Sequence, residues 1–595
     1  MRFPDLFIRW IKKCISGCML SVKINGVLEG YFQCKSGLRQ GDPLSPYLFV
    51  LSMEILTIYL NTTLQNCESF VFHWRTKQLK LSHVIFADDI FVFCKGEQAS
   101  IKILLDSVSH FCDCSGLKLN KEKCQAFFCN VPADIVRDTI SEYGFSQGSL
   151  PITYLGLPLI TSRLTPSLCD PLIHRLCKRI EGWAVRSLRY SGRLQLIKSV
   201  LQAIQGFWSM YLFLPKGVLK RIQSILAKFL WGGCSLEGRC HYNVAWADCC
   251  FKKEEGGLGV RDLFEWNKSA IFLQIWKLSL PNPCSIWILW VHSCLLKHKA
   301  FWTTKIPYKC PWNLRKIFNA RSEALQHISV MVKENSEFKL WHDPWLINEP
   351  LIQKFGVGLI SIMQSSSLAA VGTIISNGQW SVATSNDHRA VHFRSLLYSR
   401  QIGANDIVFW NGAHPVNLNV IWDSIRRRGT PPGWLPLIWN KFHIPACSFI
   451  SWLACRERLL TKDRMLLFHM NTNPRCALCS SSNEDTEHLF SQCPYSYLIF
   501  RACPFNPILV WRRWMQGDFF DEPKTAFQKN FVFLYITVAI YLIWRERNSR
   551  VHDGGSMPVA QLIMIVKRMV REKLSTCNDF RRELSRDPSL SHILY

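Results

Sequence analysis

The 595-residue chain is 48% hydrophobic and 19% charged, a balance that describes folded domains and excludes a disordered polymer; its length allows several domains, each with its own core. Lys and Arg number 71 against 44 acidic residues, a net charge of +27, so a polyanion is the natural partner, nucleic acid ahead of a membrane surface. The 25 Cys lie scattered rather than in the dense spacing of a small secreted scaffold, which fits a reduced, intracellular protein whose thiols mostly pack as small apolar side chains.

At the start, Asp5, Arg9, Lys12 and Lys13 interrupt any apolar stretch, so no cleaved leader is expected. Residues 1 to about 160 mix short β-rich runs (MLSVKI, FVFHW, VIFADDIFVF) with helical patterns and predict a layered α/β unit. Within SGLRQGDPLSPYLF, residues 36–49, Gln40, Gly41 and Asp42 read as a tight polar loop, and Ser45-Pro46 as the start of an apolar helix through Tyr59. Glycine at 41 lets the backbone approach a flat partner closely.

HVIFADDIFVFCK, residues 83–95, sets two adjacent carboxylates inside an apolar, strand-forming run. Neighbouring side chains of a strand point to opposite faces, so Asp88 and Asp89 can serve one metal only where the chain turns. The pattern therefore predicts a hairpin: HVIFA runs in, the Asp pair occupies the tip and IFVFC runs out. An ordinary surface turn is the plainer alternative. Downstream follow GLKLNKEKC (116–124) and YLGLPL (154–159).

From Pro171 to Leu230 eleven Lys and Arg face one acidic residue, Glu181. Arg175, Arg179, Arg186 and Arg189 recur at helical spacing beside an apolar stripe of Leu172, Leu176, Ile180 and Trp183, so one side packs and the other is free to meet phosphates, unless it is simply a solvated face. The chain to about 430 is Trp-rich and irregular, with a turn signal at KKEEGGLG and a short strand candidate in SEFKLWHDPWL. Cys476, Cys479, His488 and Cys493 then give C-x2-C-x8-H-x4-C. A lone C-x2-C pair proves little in so Cys-rich a chain, but the added His and Cys at this spacing point to a closed tetrahedral Zn²⁺ site that staples a domain. His443 and His469 are alternative ligands at poorer spacing, and Arg456, Arg458, Lys462 and Arg464 beside Phe449 and Trp452 suit nucleic-acid contact or the outer face of a helix. Phe531 to Trp544 is the most apolar run; it falls short of the ~20 residues of a bilayer span and predicts a buried core helix.

Taken in order, RQGDPLSP, FADD, GLKLNKEK and YLGLPL resemble the reverse transcriptases of non-LTR retroelements, particularly the LINE-type elements of plants, and IWNKFHIPACSFISWLACRERLLTKDRM through HLFSQCPYSYLIF resembles the zinc-binding domain that follows the polymerase there. The resemblance implies Asp88 as the main Mg²⁺ ligand and Asp89 as its neighbour. It puts Gln40, Gly41 and Pro43 on the nucleotide and template surface, and makes Lys121 or Lys123 the motif lysine. The family's first palm Asp lies on a strand before RQGDPLSP, and none of Asp5, Glu29, Asp42, Glu54 or Glu68 has that setting. Two-metal chemistry needs carboxylates that bridge both ions, so impaired or absent autonomous catalysis is expected. No endonuclease or RNase H signature is found.

The expected architecture is α+β and multidomain: a partial polymerase palm at 1–160; a basic, mainly helical thumb and connection region at 161–330; an irregular Trp-containing connector at 331–430; a zinc-binding domain at 431–510; and a helical C-terminal region at 511–595. RNA and DNA are the expected partners, without a membrane, and the nucleus the expected site of action. The alternatives are a non-catalytic zinc protein that binds RNA or DNA, and a relic with no cellular role.

Overall fold

The computed structural model describes residues 3–582 apart from 17–18, 34–36, 184–187, 234–237, 239, 282–284, 298, 309, 553, 579 and 581. It is helix-rich with mixed secondary structure, 51% helical and 9% strand. The chain forms two compact units, each assembled from two stretches: 1–161 with 276–408, and 162–275 with 409–595. These units divide the segments 161–330 and 331–430 internally.

In the first unit, α1 (Asp5–Ile15) is followed by an antiparallel pair, β1 (Met19–Ile24) and β2 (Val27–Gln33), joined through Asn25 and Gly26, both at positive φ. None of these three elements buries a residue. The core begins with α2 (Ser45–Gln65), which carries Pro in its first turn and runs six residues past Tyr59. Its buried positions Met53, Leu56, Leu60 and Leu64 fall at helical spacing and form one stripe. That stripe packs against α3 (Gln98–Ser115) through Leu104, Val108 and Phe111. Between the two helices in sequence lies the hairpin β3 (His83–Phe86) and β4 (Asp89–Val92), whose Ile85, Ile90 and Val92 pack on the same cluster. The cluster therefore fixes the hairpin from behind while its tip stays in water.

Gly116, at φ 74°, ends α3 with its N–H bonded to the Cys112 carbonyl. A short parallel pair, β5 (Gln125–Ala126) and β6 (Ser146–Gln147), brackets α4 (Ala133–Tyr143). A second tight hairpin closes this stretch: β7 (Ile152–Tyr154) and β8 (Leu157–Leu159), turning through Leu155 at φ 50° and Gly156 at φ 77°. Positive φ at both turn positions is what a two-residue hairpin of the right twist demands. From the later stretch of the same unit, the Trp290 indole and the Cys294 thiol both donate to the Arg75 carbonyl, at 2.9 Å each.

The second unit opens with α5 (Asp170–Glu181), α6 (Tyr190–Leu196), a π turn (Ile197–Leu201), α7 (Gln202–Tyr211) and α8 (Lys216–Gly232). Its centre is the helix Ala526–His552, in which all ten residues from Phe531 to Ile540 are buried. A helix apolar all round belongs in a core. It packs against Pro445–Cys455, itself buried at eight of eleven positions. By length and composition Ala526–His552 and Ser45–Gln65 would each suffice to cross a membrane; the first is enclosed by this unit's own side chains. The KKEEGGLG turn is also part of this core: Glu255 receives a two-pronged ion pair from Arg426 at 2.6 and 2.7 Å, and the Gly256 carbonyl accepts from the Trp452 indole at 2.8 Å. Gly257 has no room for a side chain, since a Cβ would lie 2.2 Å from the Phe251 carbonyl oxygen.

Truncating a fully buried Leu leaves a cavity as well as lost transfer energy. Leu60→Ala is expected to destabilise the first unit by about 2–5 kcal/mol, read as a lowered urea midpoint; an unchanged midpoint would show that the α2–α3 cluster is not its core.

Candidate metal and nucleic-acid sites

The register of the first-unit hairpin pairs Phe86 with Asp89, so the two-residue turn is Ala87-Asp88. The expected tip is thereby corrected by one position: Asp88 sits in the turn and Asp89 opens the outgoing strand. Ala87 takes φ 51°, a left-handed conformation that costs an L-residue roughly 1–2 kcal/mol. Strain of this kind concentrates at functional sites. Both carboxylates are exposed. Across β4, the Phe91 ring meets Tyr154 edge-on with centroids 4.7 Å apart, which brings YLGLPL beside the Asp pair. Burial, reinforced by the charge of Asp89, raises the Tyr154 hydroxyl pKa.

The RQGDPLSP loop is built by local bonds. Asp42 Oδ1 accepts from the Leu44 N–H at 2.9 Å, and the Ser45 hydroxyl donates to the Arg39 carbonyl at 2.6 Å instead of capping α2. Gly41 turns the chain at φ 89°, and Gln40, Gly41 and Pro43 are exposed. Gly37, Arg39 and Asp42 share a small cavity with Cys14 and Ile15. Among the described residues no hydrogen bond or ion pair joins Gln40, Gly41 or Pro43 to Asp88 or Asp89. Lys121 and Lys123 lie in an exposed turn after α3.

The expected cationic stripe does not lie on one helix. α5 ends at Glu181, where Gly182 follows. Arg175 and Arg179 are exposed on it and, with Lys178, Gly182 and Trp183, line one surface depression. Arg189 precedes α6 and rests its guanidinium 5.8 Å from the centre of the Tyr541 ring. Arg186 lies outside the described residues. Of the second basic group, Arg456 lies over the Trp452 ring and Arg464 over Phe468, while Lys462 donates to the Arg475 carbonyl at 2.5 Å.

Cys476, Cys479, His488 and Cys493 bring one ligand atom each to within 4.8 Å of all the others, and form the one cluster of three or more potential metal ligands among the described residues. A tetrahedral ion with bonds of about 2.0–2.3 Å separates its ligands by roughly 3.3–3.8 Å, and Cys479 Sγ lies 3.3 Å from His488 Nε2. The donors fit Zn²⁺: thiolates and imidazole, with no position left for substrate. His443 and His469 take no part. The loop that presents the first two thiols folds on itself, with Cys476 N–H on the Ser482 carbonyl at 2.8 Å and Ser480 at φ 59°. His488 starts a π turn whose end delivers Cys493, its N–H on the His488 carbonyl at 2.7 Å. The thiols of Cys476 and Cys493 act on one another, which raises the pKa of the first and lowers that of the second.

What the spacing did not reveal is how this loop is held. Glu484 is buried and accepts from the Ala477 N–H at 3.2 Å, inside the C-x2-C loop, and from the Lys462 N–H at 3.1 Å. Its charge is met by Arg547, whose Nε and Nη2 lie 2.9 and 2.6 Å from Oε1, with both side chains almost wholly excluded from water. One turn along the helix, Arg550 donates to the Leu478 carbonyl at 3.0 Å and to Glu546 at 2.7 Å. Outer partners of this kind orient metal ligands. Here they come from a helix some 60 residues downstream, and neither Glu nor Arg signals burial by its identity.

Two matches to known families accord with these sites. Residues 1–159 match the family described as reverse transcriptase (RNA-dependent DNA polymerase), and residues 417–499 match zinc-binding in reverse transcriptase. Residues 1–159 are thus similar to the reverse transcriptase class, and residues 417–499 to its zinc-binding domain. A putative ribonuclease H protein of Arabidopsis thaliana is 23% identical over 354 residues, covering 57% of this chain and 56% of that protein. The Pol polyprotein of the type-2 retrotransposable element R2DM of Drosophila melanogaster is 32% identical over 121 residues, 20% of this chain and 11% of that one. An uncharacterised mitochondrial protein of Arabidopsis thaliana is 24% identical over 137 residues, 23% and 88% of the two chains. The chain spans just over half the length of the first of these relatives. The chain carries a reverse transcriptase domain at its N-terminus and the zinc-binding domain of reverse transcriptases toward its C-terminus, and its relatives include a retrotransposon protein.

Metal analysis of purified protein is expected to find about one Zn²⁺ per chain, lost in Cys476→Ser; an undiminished content in that variant would remove the site. Arg547→Ala leaves a buried carboxylate unpaired and is expected to cost about 3–5 kcal/mol, whereas a melting temperature equal to that of the wild type would show that the pair is dispensable.

Proposed function

We propose that this chain is a nucleic-acid-binding derivative of a retroelement reverse transcriptase, with palm elements at 1–160, a thumb and connection region after them and a structural zinc module. On this reading it works in the nucleus on RNA and DNA, and residues 1–595 polymerise poorly or not at all by themselves. The parent reaction is template-directed DNA synthesis on RNA primed at a chromosomal nick.

The observation that carries the reading is the hairpin tip. Asp88 and Asp89 offer hard oxygen donors suited to Mg²⁺, held on a rigid support beside Tyr154. Bound there, Mg²⁺ would lower the pKa of a primer hydroxyl and neutralise departing pyrophosphate. Among the described residues, however, no third acidic, His or Cys side chain joins the pair as a metal ligand. One side of a two-ion clamp is present. Ligands that act together lose most of their effect when one is missing. The exposed Arg175, Lys178 and Arg179 on α5 support backbone contact that does not require chemistry.

Primer extension with oligo(dT) on poly(A) and Mg²⁺ tests this directly. The chain is expected to bind the primer-template yet extend it no more than its Asp88→Ala variant does. Template-dependent extension that disappears in Asp88→Ala would overturn the impairment, and failure to bind would overturn the nucleic-acid reading.

A further inference from the structure

A second group of cations gathers in the unit that holds the zinc site, on residues that the family resemblance leaves without a role. Lys198 lies in the π turn between α6 and α7, a local irregularity often found at functional positions. Its side chain makes no hydrogen bond or ion pair among the described residues. Lys253, at the start of the short turn Lys253–Glu255, abuts the same glycine: a Cβ placed on Gly259 would stand 3.2 Å from Lys198 Nζ and 4.0 Å from the Lys253 stem. The Lys253 ammonium sits 4.3 Å from the centre of the Trp439 ring. The His443 ring meets that indole edge-on at 6.0 Å, and burial, with the charges of Lys253 and Lys573, lowers its pKa. The Trp439 N–H is buried and donates to nothing. The acid that acts on both lysines, Glu254, is exposed and bonded to neither.

Three separate segments, at 198, 253 and 439–443, are thus linked by these contacts, with cations and an unused donor and without a paired carboxylate. Holding ammonium groups together and partly out of water is costly. Burial, with the charge of Lys253, pushes the Lys198 ammonium down to about 8. An oxyanion placed among these groups would compensate both the mutual repulsion and the orphaned N–H, and phosphate, with several acceptor oxygens, suits three or four donors arriving from different directions.

We propose that Lys198, Lys253, His443 and the indole N–H of Trp439 form a phosphate-binding site, which takes a backbone phosphate of a bound nucleic-acid strand. The site is separate from the Asp pair and does not depend on polymerase activity.

The test uses the full chain and its Lys198→Met and Lys253→Met variants, with two probes: inorganic phosphate, read by thermal unfolding, and a single-stranded RNA oligonucleotide, read by the salt dependence of its binding. Inorganic phosphate is expected to raise the melting temperature of the wild type and of neither variant. The slope of log K against log salt is expected to fall by about 0.7 in either variant, since both lysines serve the same phosphate. In phosphate-free buffer Lys198→Met should melt at or above the wild-type temperature, because it removes an unpaired ammonium, and this separates loss of ligand from loss of fold. Loss of the phosphate effect with an unchanged RNA slope would support the site and assign it to free phosphate, overturning the backbone role. No phosphate effect in the wild type, or the same effect in all three proteins, would overturn the site.

Discussion

A carboxylate sealed from water must find its compensation inside the protein, and for Glu484 each part comes from a different place. One N–H is supplied by the C-x2-C loop, another by the start of Lys462–Leu467, and the positive charge by Arg547 on the long C-terminal helix. Removing either charge strands the other in a medium that cannot solvate it. The carboxylate therefore couples three segments, and the thiol-bearing loop holds its shape because the helix behind it is in place. Arg550 repeats the arrangement on the Leu478 carbonyl. The segment that matches the zinc-binding family ends at residue 499, yet the groups that fix its metal loop lie beyond that point.

The first unit treats charge in the opposite way. Asp88 and Asp89 stay in water, and it is the apolar flanks of their hairpin that are buried on the α2–α3 cluster. The support is hydrophobic and the presented groups are free to take a cation. One cluster is largely buried and held by buried polar bonds, the other is open and held from beneath by apolar packing.

Parts of this were legible in the residues themselves. Zinc-ligand spacing picks the four side chains that the fold gathers, and the apolar Phe531 run is a core helix, because both signals are local and chemically specific. The hairpin was legible but its register was not, since alanine gives no sign that position 87 adopts a positive φ. The arginine periodicity after Pro171 held only as far as α5, because Gly182 ends the helix before Arg189. The α2 boundary was drawn too early at Tyr59, where Asn61, Thr62, Thr63 and Gln65 continue the helix with polar side chains. Glu484 with Arg547, and Lys198 with Lys253, could not be read at all. Their meaning depends on burial and on partners more than fifty residues away.

Each compact unit is threaded from two stretches of chain, and this sets an order of events during translation. A ribosome that has delivered residue 275 has completed neither unit, and residues 162–275 must wait for 409 onward before their apolar surfaces are covered. The cysteines and histidine of the metal loop emerge before Arg547 does, so in the interval the nascent loop carries the Glu484 carboxylate without its partner. A stop codon in the stretch between them would spare all four cysteine and histidine ligands and still remove the helix whose arginines hold their loop.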